Sequence, residues 1–140
     1  GYRDAPRMGG RLAQEKNLLP DLVVASPSVR TTLTARYVCE QIKYPEEKIL
    51  FEPEIYEASV RSLLKVVNSL DDSSATVLLI GHNPGFSYLA EYLSKQEIGE
   101  MPTSAVVCLY FEFDSWALVS EGTAKKEWYI YPKDTEEPHN

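Results

Sequence analysis

The sequence predicts an α/β fold, a three-layer α/β/α sandwich whose mostly parallel sheet is joined by antiparallel C-terminal strands, and two observations lead there. Short apolar runs, Leu22-Val23-Val24-Ala25 and Val77-Leu78-Leu79-Ile80, each break into a polar loop followed by a helical segment. Buried strands alternating with amphipathic helices are the pattern of a sheet covered on both faces. Near the C-terminus the rhythm changes to strand-like segments at 105–113 and 125–131 separated by Asp114-Ser115, which suits antiparallel pairing.

The elements follow in order. Residues 4–17 predict a helix with Met8, Leu12 and Ala13 apolar and Arg7, Arg11, Gln14 and Glu15 polar, followed by a buried strand at 21–25. Residues 28–43 predict the next helix, with Val29, Leu33, Tyr37, Val38 and Ile42 as its apolar stripe and Pro45 closing it. A short strand spans Lys48 to Phe51, and an amphipathic helix over 59–70 buries Val60, Leu63, Leu64, Val67 and Leu70. Asp71-Asp72-Ser73-Ser74 is a polar loop; a strand at 76–80 and a helix over 84–94 come next. One domain over 1–132 accounts for this pattern, and 133–140, charged and carrying Pro138, is expected to be a polar tail.

Composition narrows the function classes. Fourteen basic and 21 acidic residues give a net charge of −7, which argues against nucleic acid or an anionic membrane as the main partner. No apolar run reaches the ~18 residues of a membrane span, and the start lacks a secretory signal pattern; the expected compartment is cytoplasmic. Cys39 and Cys108 lack metal or redox spacing and read as buried thiols. With histidine only at 82 and 139, the ligand spacings compose no metal site, and no cofactor is expected.

Two strand ends carry candidate chemistry. His82 follows the run 77–80 after a single glycine, at the sheet edge where open α/β folds bind ligands, and an imidazole there suits work near neutral pH. It could equally cap the helix that follows. Arg30 follows the run 22–25 and the loop Ser26-Pro27-Ser28, in the first turn of its helix. An arginine there opposes the helix dipole, whereas exposed N–H groups and a guanidinium together suit a phosphate. Taken alone, it could be a solvated surface residue.

Five segments together resemble the histidine phosphatase superfamily, most closely its SixA-like phosphohistidine phosphatases. They are Arg3-Asp4-Ala5-Pro6-Arg7-Met8-Gly9, the stretch from Ser26 to Ala35 containing Arg30, Tyr56-Glu57-Ala58-Ser59, Gly81-His82-Asn83-Pro84-Gly85, and Met101-Pro102-Thr103-Ser104-Ala105. The resemblance runs from residue 3 to about 132 and implies a phosphoglycerate mutase-like fold. It also implies a two-step phosphoryl transfer in which an N-terminal histidine attacks phosphorus and water hydrolyses the phosphoenzyme. Arg30 and His82 would bind the phosphate, with His82 stabilising transition-state charge. Glu57 is a candidate proton donor to the leaving group, or a solvated carboxylate beside Tyr56; Ser26 and Asn83 would support the loops.

The sequence departs from the family at one decisive point. The resemblance calls for a first strand ending in an Arg-His pair that supplies the nucleophile, and no Arg-His pair occurs here. The chain therefore reads as N-terminally incomplete, and a central strand missing from the sheet should leave a slot beside the strand at 21–25 or that at 76–80. The expected function is hydrolysis of phosphohistidine on a protein, or of a small phosphoester, by a nucleophile absent from this segment. The alternative is an inactive phosphate- or phosphoprotein-binding module. Expected partners are a phosphorylated protein, such as a histidine-phosphorylated signalling domain, or a small phosphorylated substrate. The short stretch between 51 and 76 leaves no room for a large lid.

Overall fold

The computed structural model describes residues 4–132; the expected tail at 133–140, with His139, lies outside the described residues. Its sheet core is parallel. Strand β1 (Leu22–Ala25) lies between β2 (Leu50–Phe51) and β3 (Val77–Ile80), with Val24 opposite Leu50 on one side and Leu79 on the other. Strands β4 (Val106–Phe111) and β5 (Ala124–Ile130) form a separate antiparallel pair. These are the parallel and antiparallel parts expected from the sequence.

Helices α1 (Asp4–Gln14) and α2 (Val29–Ile42) pack against each other on one face. Helices α3 (Val60–Asn68) and α4 (Gly85–Ser94) pack together on the other. The period-two geometry of β1 serves both layers: Val23 and Ala25 pack with Ala35 and Cys39 of α2, and Val24 packs with Leu63, Val67, Leu89 and Leu93 of α3 and α4. A third cluster joins Met8, Leu12, Val38 and Ile42 to Ile130 of β5, tying the antiparallel pair to the α1/α2 layer.

Several expectations need correction. The stripe expected on α2 is rotated: its buried residues are Thr31, Ala35, Val38, Cys39 and Ile42, while Val29 is 75% exposed and Leu33 and Tyr37 are half-buried. The cause is that the β1 face takes small side chains, so the Thr31-Ala35-Cys39 row fits closest and the bulkier row turns outward. Cys108 is half-buried rather than buried, and its Sγ lies 3.4 Å from Glu127 Oε2. The segment 48–51 divides into a 3-10 turn at Glu46–Lys48 and the two-residue β2. Further 3-10 turns at Pro53–Ile55 and Trp116–Leu118 had no periodic signal to announce them, being single turns.

Among the described residues β3 has a strand neighbour on one side only. The carbonyls of Thr76 and Ile80 accept from Asp21 and Ser26 on the β1 side, so by alternation the N–H and C=O groups of Val77 and Leu79 turn away from β1. They face a cavity of about 480 Å³ that separates β3 from β4. The expected slot is therefore present beside the strand at 76–80 rather than the one at 21–25.

Candidate functional site

The carboxyl ends of β1 and β3 meet at the mouth of this slot. Ser26 continues β1 and is fully buried; its N–H donates to the carbonyl of Ile80, which holds the two strand ends together. Two residues beyond Ile80, half-buried His82 places Nε2 2.8 Å from Ser26 Oγ and 3.5 Å from Thr31 Oγ1. Thr31, 3% exposed, is held in turn by Ser28, whose Oγ donates to Thr31 Oγ1 at 2.9 Å. Ser28 is also the N-cap of α2, accepting from the Thr31 N–H at 3.2 Å. One imidazole nitrogen is thus aimed by two hydroxyls at the start of α2.

That helix start is electropositive. The first turn of α2 carries no acidic residue, and Arg30 sits there exposed, without a hydrogen bond or ion pair among the described residues. A cation at a helix N-terminus is disfavoured by the peptide dipoles, and an anion seated between them reverses the sign of both interactions. Arg30, Thr31 and His82 all line the same cavity. Tyr56 closes another side of the imidazole, edge-on with ring centroids 5.3 Å apart, while the residue itself is 53% exposed.

The loop after β3 is tightly constrained. A Cβ on Gly81 would fall 2.4 Å from Phe86 Cζ and 2.8 Å from Ile55 Cγ2, and one on Gly85 would fall 2.6 Å from the carbonyl oxygen of Ala58. Asn83 lies one position before the N-cap of α4, yet its Oδ1 accepts from the Ser87 N–H at 3.2 Å and the Ser87 hydroxyl at 2.9 Å. Its Nδ2 donates to the Met101 carbonyl at 2.7 Å, and Ser87 Oγ accepts from the Met101 N–H at 2.9 Å. The segment 101–105 is thereby pinned against α4, and it lines the same cavity. Glu91 braces its approach, accepting from the N–H groups of Ile98 and Gly99 at 2.7 and 2.8 Å, which hold its carboxyl below the usual range.

The structure thus brings Arg30, His82 and Ser26 together and sets Asn83 behind them. Glu57 is exposed in the loop before α3, with φ +47°, and is not among the cavity-lining residues. Thr31 and Tyr56 were missed as site residues. The Ser28-to-Thr31 spacing of a capped helix start is the signal that could have found Thr31, whereas Tyr56 meets His82 only through tertiary packing. Burial pushes both cysteine thiols up to about 11, helped by Glu46 at Cys39 and by Glu127 at Cys108. Neither is a thiolate nucleophile near neutral pH. No group of three His, Cys, Asp or Glu among the described residues is placed to hold a metal.

No family model and no curated protein sequence matches this chain. Solved structures do. The structure of the protein histidine phosphatase SixA complexed with tungstate superposes with a TM-score of 0.81 at 21% identity, over 97% of this chain and 83% of that one. The putative phosphohistidine phosphatase SixA of Agrobacterium tumefaciens gives 0.76 at 20% identity, over 94% and 80% of the two chains. That of Nakamurella multipartitia gives 0.75 at 20% identity, over 94% and 81%. The fold of this chain is therefore SixA-like, as the motif resemblance implied.

Proposed function

We propose that this chain is the phosphate-recognising part of a histidine phosphatase that removes phosphate from phosphohistidine on a protein. The carrying observation is that unpaired Arg30, the α2 N-terminus and the imidazole of His82, oriented through Nε2 by Ser26 and Thr31, stand at one cavity. All three are groups that bind a tetrahedral oxyanion and stabilise the added charge of its transition state. Tungstate, an oxyanion of that shape, accompanies a SixA of the same fold.

Within these 140 residues only His82 and His139 are imidazoles. Neither belongs to the Arg-His pair that the resemblance calls for, His82 following Gly81 and His139 following Pro138; with His82 as phosphate binder, the proposal assigns the attack to a histidine that is not part of this segment. The nucleophile would form an N–P bond as the bond to the leaving group breaks, and water would then displace it. Arg30 and His82 hold the non-bridging oxygens throughout. Ser26 and Thr31 orient the imidazole, Asn83 holds the 101–105 loop, and Glu57 protonates leaving groups that need a proton. The exposure of Arg30 and of Tyr56, which packs on His82, suits a phosphorylated side chain on a protein surface. No described helix is long and apolar enough to cross a membrane, and a cytoplasmic location remains part of this proposal.

The test is hydrolysis of a phosphohistidine peptide, followed by phosphorus NMR, using the polypeptide translated from the whole reading frame. The proposal expects turnover, reduced ~10²–10³-fold by Arg30→Ala or His82→Ala, the usual cost of one preorganised donor. Tungstate binding without turnover would instead assign the chain to the second reading, a phosphoprotein-binding module. Undiminished turnover in both variants would remove the site.

A further inference from the structure

Among the described residues four aromatic side chains are exposed, Phe51, Tyr56, Tyr88 and Tyr110, and of these Tyr56 packs its ring on the imidazole of His82. A single exposed aromatic is ordinary, but this one is held through the backbone on both sides. Ile55, 1% exposed, sits so close to Gly81 that a Cβ there would fall 2.8 Å from Ile55 Cγ2, and the Ala58 carbonyl oxygen crowds Gly85 in the same way. Gly81 and Gly85 bracket His82, so the segment 55–58 is clamped to both ends of the loop that carries the imidazole. Between the clamps Tyr56 stands at a tip, because Glu57 takes φ +47° and turns the chain at once toward α3. Ile55 fills the core here. Tyr56 is left with its hydroxyl free of hydrogen bonds among the described residues and with more than half of its surface exposed.

We propose that Tyr56 is a specificity-determining residue, its ring the platform on which the imidazole of a phosphohistidine substrate lies while Arg30 and His82 hold the phosphoryl group. This deepens the phosphatase reading and rests on it. The leaving ring is one P–N bond from phosphorus, and the ring of Tyr56 is centred 5.3 Å from that of the phosphate-binding imidazole. Aromatic rings attract at centroid separations of about 4.5–7 Å, offset or edge to face, so the substrate ring and Tyr56 come within one ring-pair distance. Tyr56 is not among the residues lining the cavity; it stands on the exposed side of His82, where a side chain on a protein surface arrives. Phosphorylated serine, lysine or aspartate presents no ring face there. A tyrosine already fixed in place, with two torsions to order, gives this discrimination at low entropic cost. A phosphohistidine ring that carries its proton is a cation, and the face of a tyrosine attracts it further.

The experiment uses the polypeptide translated from the whole reading frame and two stable peptides of one sequence. One carries phosphonotriazolylalanine, a ring phosphonate that mimics phosphohistidine, and the other phosphonomethylalanine, an alkyl phosphonate. Calorimetry gives the ratio of the two affinities. The ring peptide should bind ~3–10-fold tighter, the range of one aromatic pair; Tyr56→Phe should keep that ratio, and Tyr56→Leu should bring it to one. A tyrosine that merely props His82 would lower both affinities alike in Tyr56→Leu and leave their ratio at the parent value, which overturns the proposal. So does a parent without ring preference, or a Tyr56→Phe variant that loses it, since the preference would then belong to the hydroxyl. A second measurement needs no variant: the triazole proton should show nuclear Overhauser contacts to the Tyr56 ring in the parent complex, and their absence overturns the proposal even where Tyr56→Leu fails to fold. Binding of tungstate and of both phosphonates without ring preference discards the platform and leaves the phosphatase reading standing. A polypeptide that binds neither tungstate nor either phosphonate discards that reading and the platform with it.

Discussion

At the scale of single residues the site is a question of where charge is left uncompensated. Arg30 opposes the dipole of the helix it starts, and nothing among the described residues neutralises it. The nearest ordered machinery is the imidazole of His82, whose Nε2 is held 2.8 Å from a fully buried hydroxyl at Ser26. Glu57 is a different kind of residue, exposed and in the left-handed backbone region. If it donates the leaving-group proton, Glu57→Gln should slow hydrolysis of an alkyl phosphoester at least tenfold more than that of phosphohistidine, whose nitrogen leaves with less help. Parallel assays with both substrates check this, and equal losses would leave Glu57 without the donor role. Arg30 and His82 could be singled out as candidates in the sequence because each stands shortly after an apolar strand, His82 in the loop after β3 and Arg30 in the first turn of α2, and the structure lines one cavity with both. Tyr56 could not, since its contact with His82 spans 26 positions and carries no periodic signal.

At the scale of elements the determining feature is the close approach of loops to helix starts. The Gly85 backbone lies so near the carbonyl of Ala58 that an added Cβ would come within 2.6 Å of that oxygen. Gly85→Ala should therefore destabilise the fold by ~1–3 kcal/mol, the usual cost of overpacking against groups that cannot move aside; urea unfolding measures it. The loop that reaches Met101 depends on Glu91, whose carboxylate is held below its usual range by the N–H groups of Gly99 and Ile98. A depressed carboxyl stabilises above its unfolded value of 4.5 and loses that contribution as pH falls through the folded value. Hydrogen exchange at Ile98 and Gly99 should accordingly quicken on acidification below pH 4.5, beyond the intrinsic trend, and Glu91→Gln should remove that dependence. Helix and strand existence was readable from periodicity, and ends shifted by one to three residues, as at α1, expected to 17 and ending at Gln14. The rotated face of α2 was not readable, because a row of threonine, alanine and cysteine is less apolar than the valine, leucine and tyrosine row beside it, and only the closeness of β1 decides between them.

At the scale of the whole molecule, the sequence pattern indicated the sandwich, and β3 and β4 stand apart across a cavity that both of them line. Strand order itself was not legible: residues 50 and 51 join the sheet beside β1 although their side chains are exposed, which no hydrophobic pattern could report. The assembled molecule places a wide, largely apolar cavity beside the carboxyl ends of β1 and β3, with Arg30 and His82 among its lining residues. The central claim is that Arg30 and His82 bind a phosphate-like anion together. It is tested most directly by calorimetric titration of the chain with tungstate, alongside Arg30→Ala and His82→Ala. Charge-assisted hydrogen bonds of ~1.5–3 kcal/mol predict one site, competed by phosphate and weakened ten- to a hundredfold in each variant. Binding of equal strength in the parent chain and both variants, or no binding in the parent, would contradict it.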